Sequence, residues 1–280
     1  MKQLFILLFL SNTTIFQAQI LQKQQLKDPL LKKYAFVPAG RLQCVPEGFN
    51  DTIFSFYISK FEISNADYKL FLAETFDTAN PQIKEEIFVD TTRWRAESEA
   101  NILYVYHYFQ HPAYDNYPCV NIKHRGAEMY CAWLEKKLNG LYPAYDFKVQ
   151  LPTKLQWIFA AKGHLKCSPY PWGGPYTMNA KGQFLCNYHY SFDAVIPSKN
   201  QMKNNNDNAD ITAPTDAYLP NRYGIYNTSG NVAEMIDEPN KVMGGDWEDT
   251  FGNVTTTSIK NSILPNPHSG FRPIIIVKKK

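Results

Sequence analysis

Three carboxylates crowd one short segment, Gly244-Gly245-Asp246-Trp247-Glu248-Asp249. Held together, two of them would serve as an acid–base pair; spread over a surface they are ordinary solvated acids. A second cluster, Gly230-Asn231-Val232-x-Glu234, joins a side-chain carbonyl, a carboxylate and backbone oxygens around a tight glycine turn. Such an all-oxygen set suits hard calcium. The competing reading makes Asn231 a helix cap and Glu234 a surface acid. His107 and His111 have a spacing that would place both imidazoles on one helical face, but no carboxylate stands by as third ligand. With Tyr104, Tyr106, Tyr108, Phe109 and Pro112 around them, they read as part of a packed aromatic loop.

The thiols are the other reactive set. The five cysteines are Cys44, Cys119, Cys131, Cys167 and Cys186, and no two have the C-x-x-C spacing of a redox centre or zinc knuckle. Cys131, beside Trp133 in a helical pattern, reads as a buried inert thiol. Cys167 and Cys186 bracket a loop holding Pro169, Pro171, Gly173, Gly174 and Pro175, and are the disulfide candidates. An odd count leaves one cysteine over.

Rather little regular structure positions these groups. There are 18 Tyr, 18 Phe and 5 Trp beside 18 Pro and 14 Gly, which predicts irregular backbone packed on large rings. Short strands are expected at residues 36–40, 54–58 and 274–277. Ser64 with Asp67 reads as a helix start, and Tyr68, Phe71 and Leu72 supply its apolar face. Ala127, Tyr130, Cys131, Leu134 and Leu138 predict a helix over 126–139, with Lys136 and Lys137 in its last turn and Gly140 ending it. Thr153 and Gln156 form a capping-box signature for a third helix that Gly163 stops. Residues 76–118 form an aromatic, weakly periodic insertion, and 198–210 a polar loop. The expected organisation is one domain over 34–280, behind a Gln- and Lys-rich tether at 19–33.

Lys2 followed by the apolar run Leu4-Phe5-Ile6-Leu7-Leu8-Phe9-Leu10 reads as a secretory signal over 1–18. The protein is therefore expected to be exported, to the periplasm or cell surface. No stretch is long and apolar enough to span a bilayer. No cysteine precedes Cys44, so no N-terminal cysteine offers a lipid anchor. Lys plus Arg is 29 against 26 for Asp plus Glu, a net +3 too balanced for a nucleic-acid partner.

Taken in order, several segments resemble the formylglycine-generating-enzyme (sulfatase-modifying factor) family. They are Phe61-Glu62-Ile63-Ser64-Asn65-Ala66-Asp67-Tyr68, Glu128-Met129-Tyr130-Cys131-Ala132-Trp133-Leu134, Leu151-Pro152-Thr153-Lys154-Leu155-Gln156-Trp157 and Tyr170-Pro171-Trp172-Gly173. Tyr223-Gly224-Ile225-Tyr226-Asn227-Thr228-Ser229-Gly230-Asn231-Val232-Ala233-Glu234, Val242-Met243-Gly244-Gly245-Asp246-Trp247 and Gly270-Phe271-Arg272 complete the series. The insertion, with Asp90-Thr91-Thr92-Arg93-Trp94 and His111-Pro112-Ala113-Tyr114-Asp115-Asn116-Tyr117-Pro118, is similar to the gliding-motility and type IX secretion lipoproteins built on this domain.

The resemblance implies an α+β, C-type-lectin-like fold with sparse regular structure. It implies a structural calcium ion at Gly230, Asn231, Val232 and Glu234, and a second at Asn187, the carbonyl of Tyr188 and Asp207. Family enzymes oxidise a substrate cysteine to formylglycine with two copper-binding cysteines, whose positions here hold Asp249 and Val254, with Asp246 at the preceding serine position. No cysteine follows Cys186, so soft thiolate ligands are missing and no copper is expected. The expectation is a non-catalytic binding or structural subunit with protein partners in envelope machinery. The alternatives are an enzyme of altered chemistry using Asp246 and Asp249, or a glycan-binding module suggested by lectin-like topology.

Overall fold

The computed structural model describes residues 29–45, 52–190, 209 and 211–280. In chain order a short helix, α1 (Pro29–Lys32), leads into strands β1 (Tyr34–Val37), β2 (Gly40–Arg41), β3 (Thr52–Ile53) and β4 (Phe56–Ser59). Helices α2 (Asn65–Thr75), α3 (Pro81–Ile87), α4 (Arg93–Glu97), α5 (Ile102–His107) and α6 (His124–Leu141) follow. Then come β5 (Tyr145–Gln150), α7 (Lys154–Lys162) and five strands: β6 (Ala233–Met235), β7 (Lys241–Met243), β8 (Ile259–Asn261), β9 (Ser269–Phe271) and β10 (Ile274–Lys279).

The main sheet is antiparallel throughout, in the order β1-β4-β10-β5. Side chains alternate across a strand, so one buried strand can feed two cores. Along β4, Tyr57 faces a cluster with Tyr68, Phe71, Tyr130, Leu134, Phe147 and Phe271. Phe56 and Ile58 face a second cluster with Trp157, Ile158, Ala160, Ala161 and Met243. Helices α2 and α6 thus cover one face and α7 the other. A second sheet, β8-β7-β6-β9, has β6 and β9 parallel. The result is the α+β class expected from the sequence.

The capping signals are realised as bonds. The Ser64 hydroxyl accepts from the Asp67 N–H at 3.2 Å and starts α2. At α7 the Thr153 hydroxyl accepts from the Gln156 N–H at 3.2 Å, while the Gln156 carbonyl accepts from the Thr153 N–H at 3.0 Å. Gly163 closes that helix in the left-handed conformation, with φ at +54°. Helix α6 buries the expected face but runs on through Gly140 to Leu141. Nothing lies close enough to Gly140 to demand a glycine turn there, and Tyr142 closes the helix with a bond to the Leu138 carbonyl. The insertion at 76–118 is weakly periodic because α3, α4 and α5 are each two turns or less. Helix α3 packs on α6 through Ile87, while α4 and α5 gather around Trp94, whose ring lies 4.8 Å from that of Tyr108.

Two expectations are corrected. Cys167 is bonded to Cys44, across a sequence separation of 123, and not to Cys186. The loop after α7 returns to the turn that follows β2, whereas Cys186 is buried among Tyr170, Tyr188 and Val254. The expected tether also ends earlier, because Pro29–Lys32 is helical and Leu31 is 2% exposed in the main core. Residues 1–18, the expected signal, lie outside the described residues. Among the described residues no helix is long and apolar enough to cross a membrane.

Candidate functional site

The second sheet brings the acidic segment together with two residues distant in sequence. Asp246 follows β7 through Gly244 and Gly245, both at positive φ. A Cβ on Gly245 would sit 2.4 Å from the Asn253 carbonyl, so only glycine lets the chain turn here. Beyond the turn, the Asp246 N–H donates to the Asp249 carboxylate at 3.0 Å, and the Glu248 N–H donates to Asp246 Oδ1 at 2.9 Å. The backbone therefore aims Asp246 and Asp249 at a common point. Lys260 of β8 occupies it, with its ammonium in contact with both carboxylates.

His268, just before β9, completes the cluster. Its Nδ1 lies 3.5 Å from Asp246 Oδ1 and its Nε2 3.6 Å from Glu248 Oε2, and its ring stacks on Trp247 at 4.7 Å. Burial would raise the Asp246 carboxyl, but His268 and Lys260 overcome that and hold it at about 2. Burial works against the Lys260 charge, and the two carboxylates still hold its pKa above the usual lysine value. Asp246 is thus a fixed anion, and Lys260 plugs the space between the acids. The sequence marks the acids. Lys260 and His268 have no sequence signal, because strand pairing alone brings them in.

Val254 is fully buried against Tyr170, Cys186 and Tyr188. The ring of Tyr170 stacks on Trp172 at 4.9 Å, and its hydroxyl donates to the Phe251 carbonyl at 2.7 Å. An aliphatic side chain sealed by rings offers no ligand atom. Cys131 is buried, and burial pushes its thiol far up, which makes it inert. His107 and His111 do not pair as ligands: both are exposed, and His111 Nδ1 accepts from the Ala113 N–H at 3.1 Å. Among the described residues no group of three or more His, Cys, Asp or Glu is arranged to hold a metal ion.

The Asn231 and Glu234 motif is assembled for another purpose. Arg272, wholly buried, donates to Glu234 from Nε and Nη2, both at 2.6 Å. Its remaining protons go to the carbonyls of Ser59, Lys60 and Tyr226. Trp157 Nε1 donates to Glu234 as well, at 2.7 Å. Asn231 Oδ1 accepts from the Ala213 N–H at 2.7 Å and from Asn187 Nδ2 at 3.2 Å. Its Nδ2 donates to Glu62 Oε1 at 2.9 Å, and Asn227 donates to the other Glu62 oxygen at 2.9 Å. Burial raises Glu62 to about 8, against the pull of Arg272.

Gly230, Asn231, Val232 and Glu234 therefore do not fit calcium. The carboxylate is neutralised by a guanidinium, and the amide oxygen is spent on two donors. These four are corrected to a structural polar core. In the second expected set, both amide protons of Asn187 are used, by the Ile211 carbonyl and Asn231, which leaves its oxygen as an acceptor. Tyr188 is buried beside it in sequence, and Asp207 lies outside the described residues.

The comparisons agree with this architecture. A family model described as a sulfatase-modifying factor enzyme 1-like domain matches residues 23–274. A formylglycine-generating enzyme of Mus musculus is 26% identical over 269 residues, covering 84% of this chain and 60% of that protein. An inactive C-alpha-formylglycine-generating enzyme 2 of Bos taurus is 29% identical over 143 residues, 48% of this chain and 40% of the relative. The chain thus spans less than two thirds of the length of these relatives. The structure of PvdO from Pseudomonas aeruginosa superimposes with a TM-score of 0.57 at 16% identity, over 86% of this chain and 93% of that one. That likeness shows the shared fold.

Proposed function

The chain belongs to the sulfatase-modifying factor enzyme 1-like family, and from that premise we propose that it is an exported, non-catalytic member. In this reading it acts as a binding or structural subunit of cell-envelope machinery of the gliding-motility or type IX secretion kind. One observation carries the loss of oxidase chemistry: at the positions where the family resemblance implies copper-binding thiols stand Asp249, engaged by Lys260, and Val254, fully buried. Copper(I) is held by soft thiolates, and neither a lysine-bound carboxylate nor an isopropyl group replaces them. Relatives that carry the name inactive C-alpha-formylglycine-generating enzyme 2 are consistent with such a loss.

The oxidase test is incubation of the full chain with a cysteine-bearing peptide, copper and oxygen, followed by intact mass analysis. Unchanged peptide is expected, and conversion of the thiol to an aldehyde overturns the reading. Crosslinking and affinity purification from native cells test the partner claim. A reproducible envelope complex supports it, and monomer alone counts against it. A structural calcium ion at Asn187, the Tyr188 carbonyl and Asp207 belongs to the same proposal. Calcium added to chelator-stripped protein should then raise its melting temperature, and no shift removes that ion from the proposal.

A second reading rests on the contact between His268 and Asp246 beside Glu248. There the acidic cluster serves catalysis of another class. A folded Asp249→Asn variant that loses function in cells while keeping its partners would favour it.

A further inference from the structure

A cleft of about 180 Å³ opens near the Cys44–Cys167 bridge, between the segment around β2 and the end of α7. Its charged lining is cationic throughout: Arg41, Lys162 and Lys166, with His164, and no Asp or Glu. Lys162 is 4% exposed and its ammonium is bonded to the carbonyls of Gln43, Cys44 and Lys166 at 3.2, 2.9 and 3.0 Å. Those three dipoles satisfy its protons without neutralising its charge. Among the described residues no carboxylate pairs with Lys162, Arg41 or Lys166. Tyr223, which also lines the cleft, has a buried hydroxyl with no hydrogen-bond partner.

A buried cation without a counter-ion is costly, and like charges gathered around one cavity raise that cost. An anion removes both penalties. We propose that this cleft binds a small oxyanion group, a phosphate or a carboxylate. Arg41 and Lys166 make the contacts, and Lys162 stands in the wall, held by three carbonyls. Burial pulls its pKa below the usual lysine value, so a nearby anion would favour its charged form. The volume equals that of several waters at ~30 Å³ each, which fits one such group with part of its hydration. Arg offers a planar fork that meets two oxygens at once, and Lys a point charge. Burial keeps the Tyr223 hydroxyl protonated, pushed up to about 12, so it acts as a donor. The site shares no residue with the Asp246 cluster and stands or falls independently of the envelope role.

The test is isothermal titration of the full chain with inorganic phosphate and, separately, with acetate, at ionic strength held constant with chloride. Saturable binding of at least one is expected, and the tighter of the two identifies the source as phosphate or carboxylate. Arg41→Ala and Lys166→Ala should each weaken it by about threefold to tenfold, whereas Lys181→Ala, in an exposed loop, should leave it unchanged. Both cleft residues are exposed, so the variants should fold. Absence of saturable binding by either anion overturns the proposal, as does an affinity untouched in the Arg41→Ala/Lys166→Ala double variant.

Discussion

Glu62 keeps its proton to about pH 8 because it is sealed from water beside another carboxylate, Glu234. The unfolded chain releases that proton near the ordinary glutamate value, so between the two pKa values the folded state binds one proton more. The stability this group contributes is full below the unfolded pKa and is lost as pH rises through about 8. Glu62→Gln mimics the protonated form. Compared with the parent, it should lose part of the fall in melting temperature between about pH 5 and pH 8, as read by thermal denaturation at a series of pH values. Lys260 poses the opposite case, since its removal leaves Asp246 and Asp249 facing each other. Lys260→Ala should cost about 1–2 kcal/mol in urea denaturation, kept low by its partial exposure. Adding Asp249→Ala should restore part of that loss, because the repulsion disappears. At this scale the sequence shows residue types and hides partners. Asp246, Glu248 and Asp249 are visible as a cluster, but whether Glu234 meets a cation from solvent or Arg272 depends on contacts across 38 residues.

Elements were legible where the signal is local. The bonds of Thr153 and Gln156, the stop at Gly163 and the buried face of α6 all lie within a few residues of their cause. Thr153→Ala should therefore cost about 1 kcal/mol, measurable as a shift in the denaturation midpoint. The short strands of the second sheet were not legible, since three residues give too little alternation to distinguish a strand from a loop. Their existence depends on pairing with segments far along the chain, as Met235 with Phe271. The same holds for the disulfide: proline and glycine content suggested a closed loop between Cys167 and Cys186, while the approach of Cys44 depends on how β2 packs against α7. Arg272 ties these elements to one another, holding carbonyls near β4 and before Asn227 as well as the acid of β6. Replacing it with methionine leaves Glu234 buried without a counter-charge, its one remaining side-chain donor being Trp157, and should destabilise by about 3–5 kcal/mol.

At the scale of the molecule, a bridge over a separation of 123 restrains the unfolded chain far more than it alters the folded one. Reduction, or Cys44→Ser with Cys167→Ser, should lower stability by about 2–4 kcal/mol in a denaturant titration without changing the circular dichroism of the folded state. The order of the main sheet carries a consequence of timing. β10, the last strand in sequence, lies between β4 and β5. During synthesis from the N-terminus, β4 and β5 have no neighbour across that gap until residues 274–279 emerge. Each meanwhile presents an open edge that invites other strands. Until that strand arrives the central sheet is held open by its own connectivity, so the growing chain must be kept from pairing those edges with other strands before its proper partner exists.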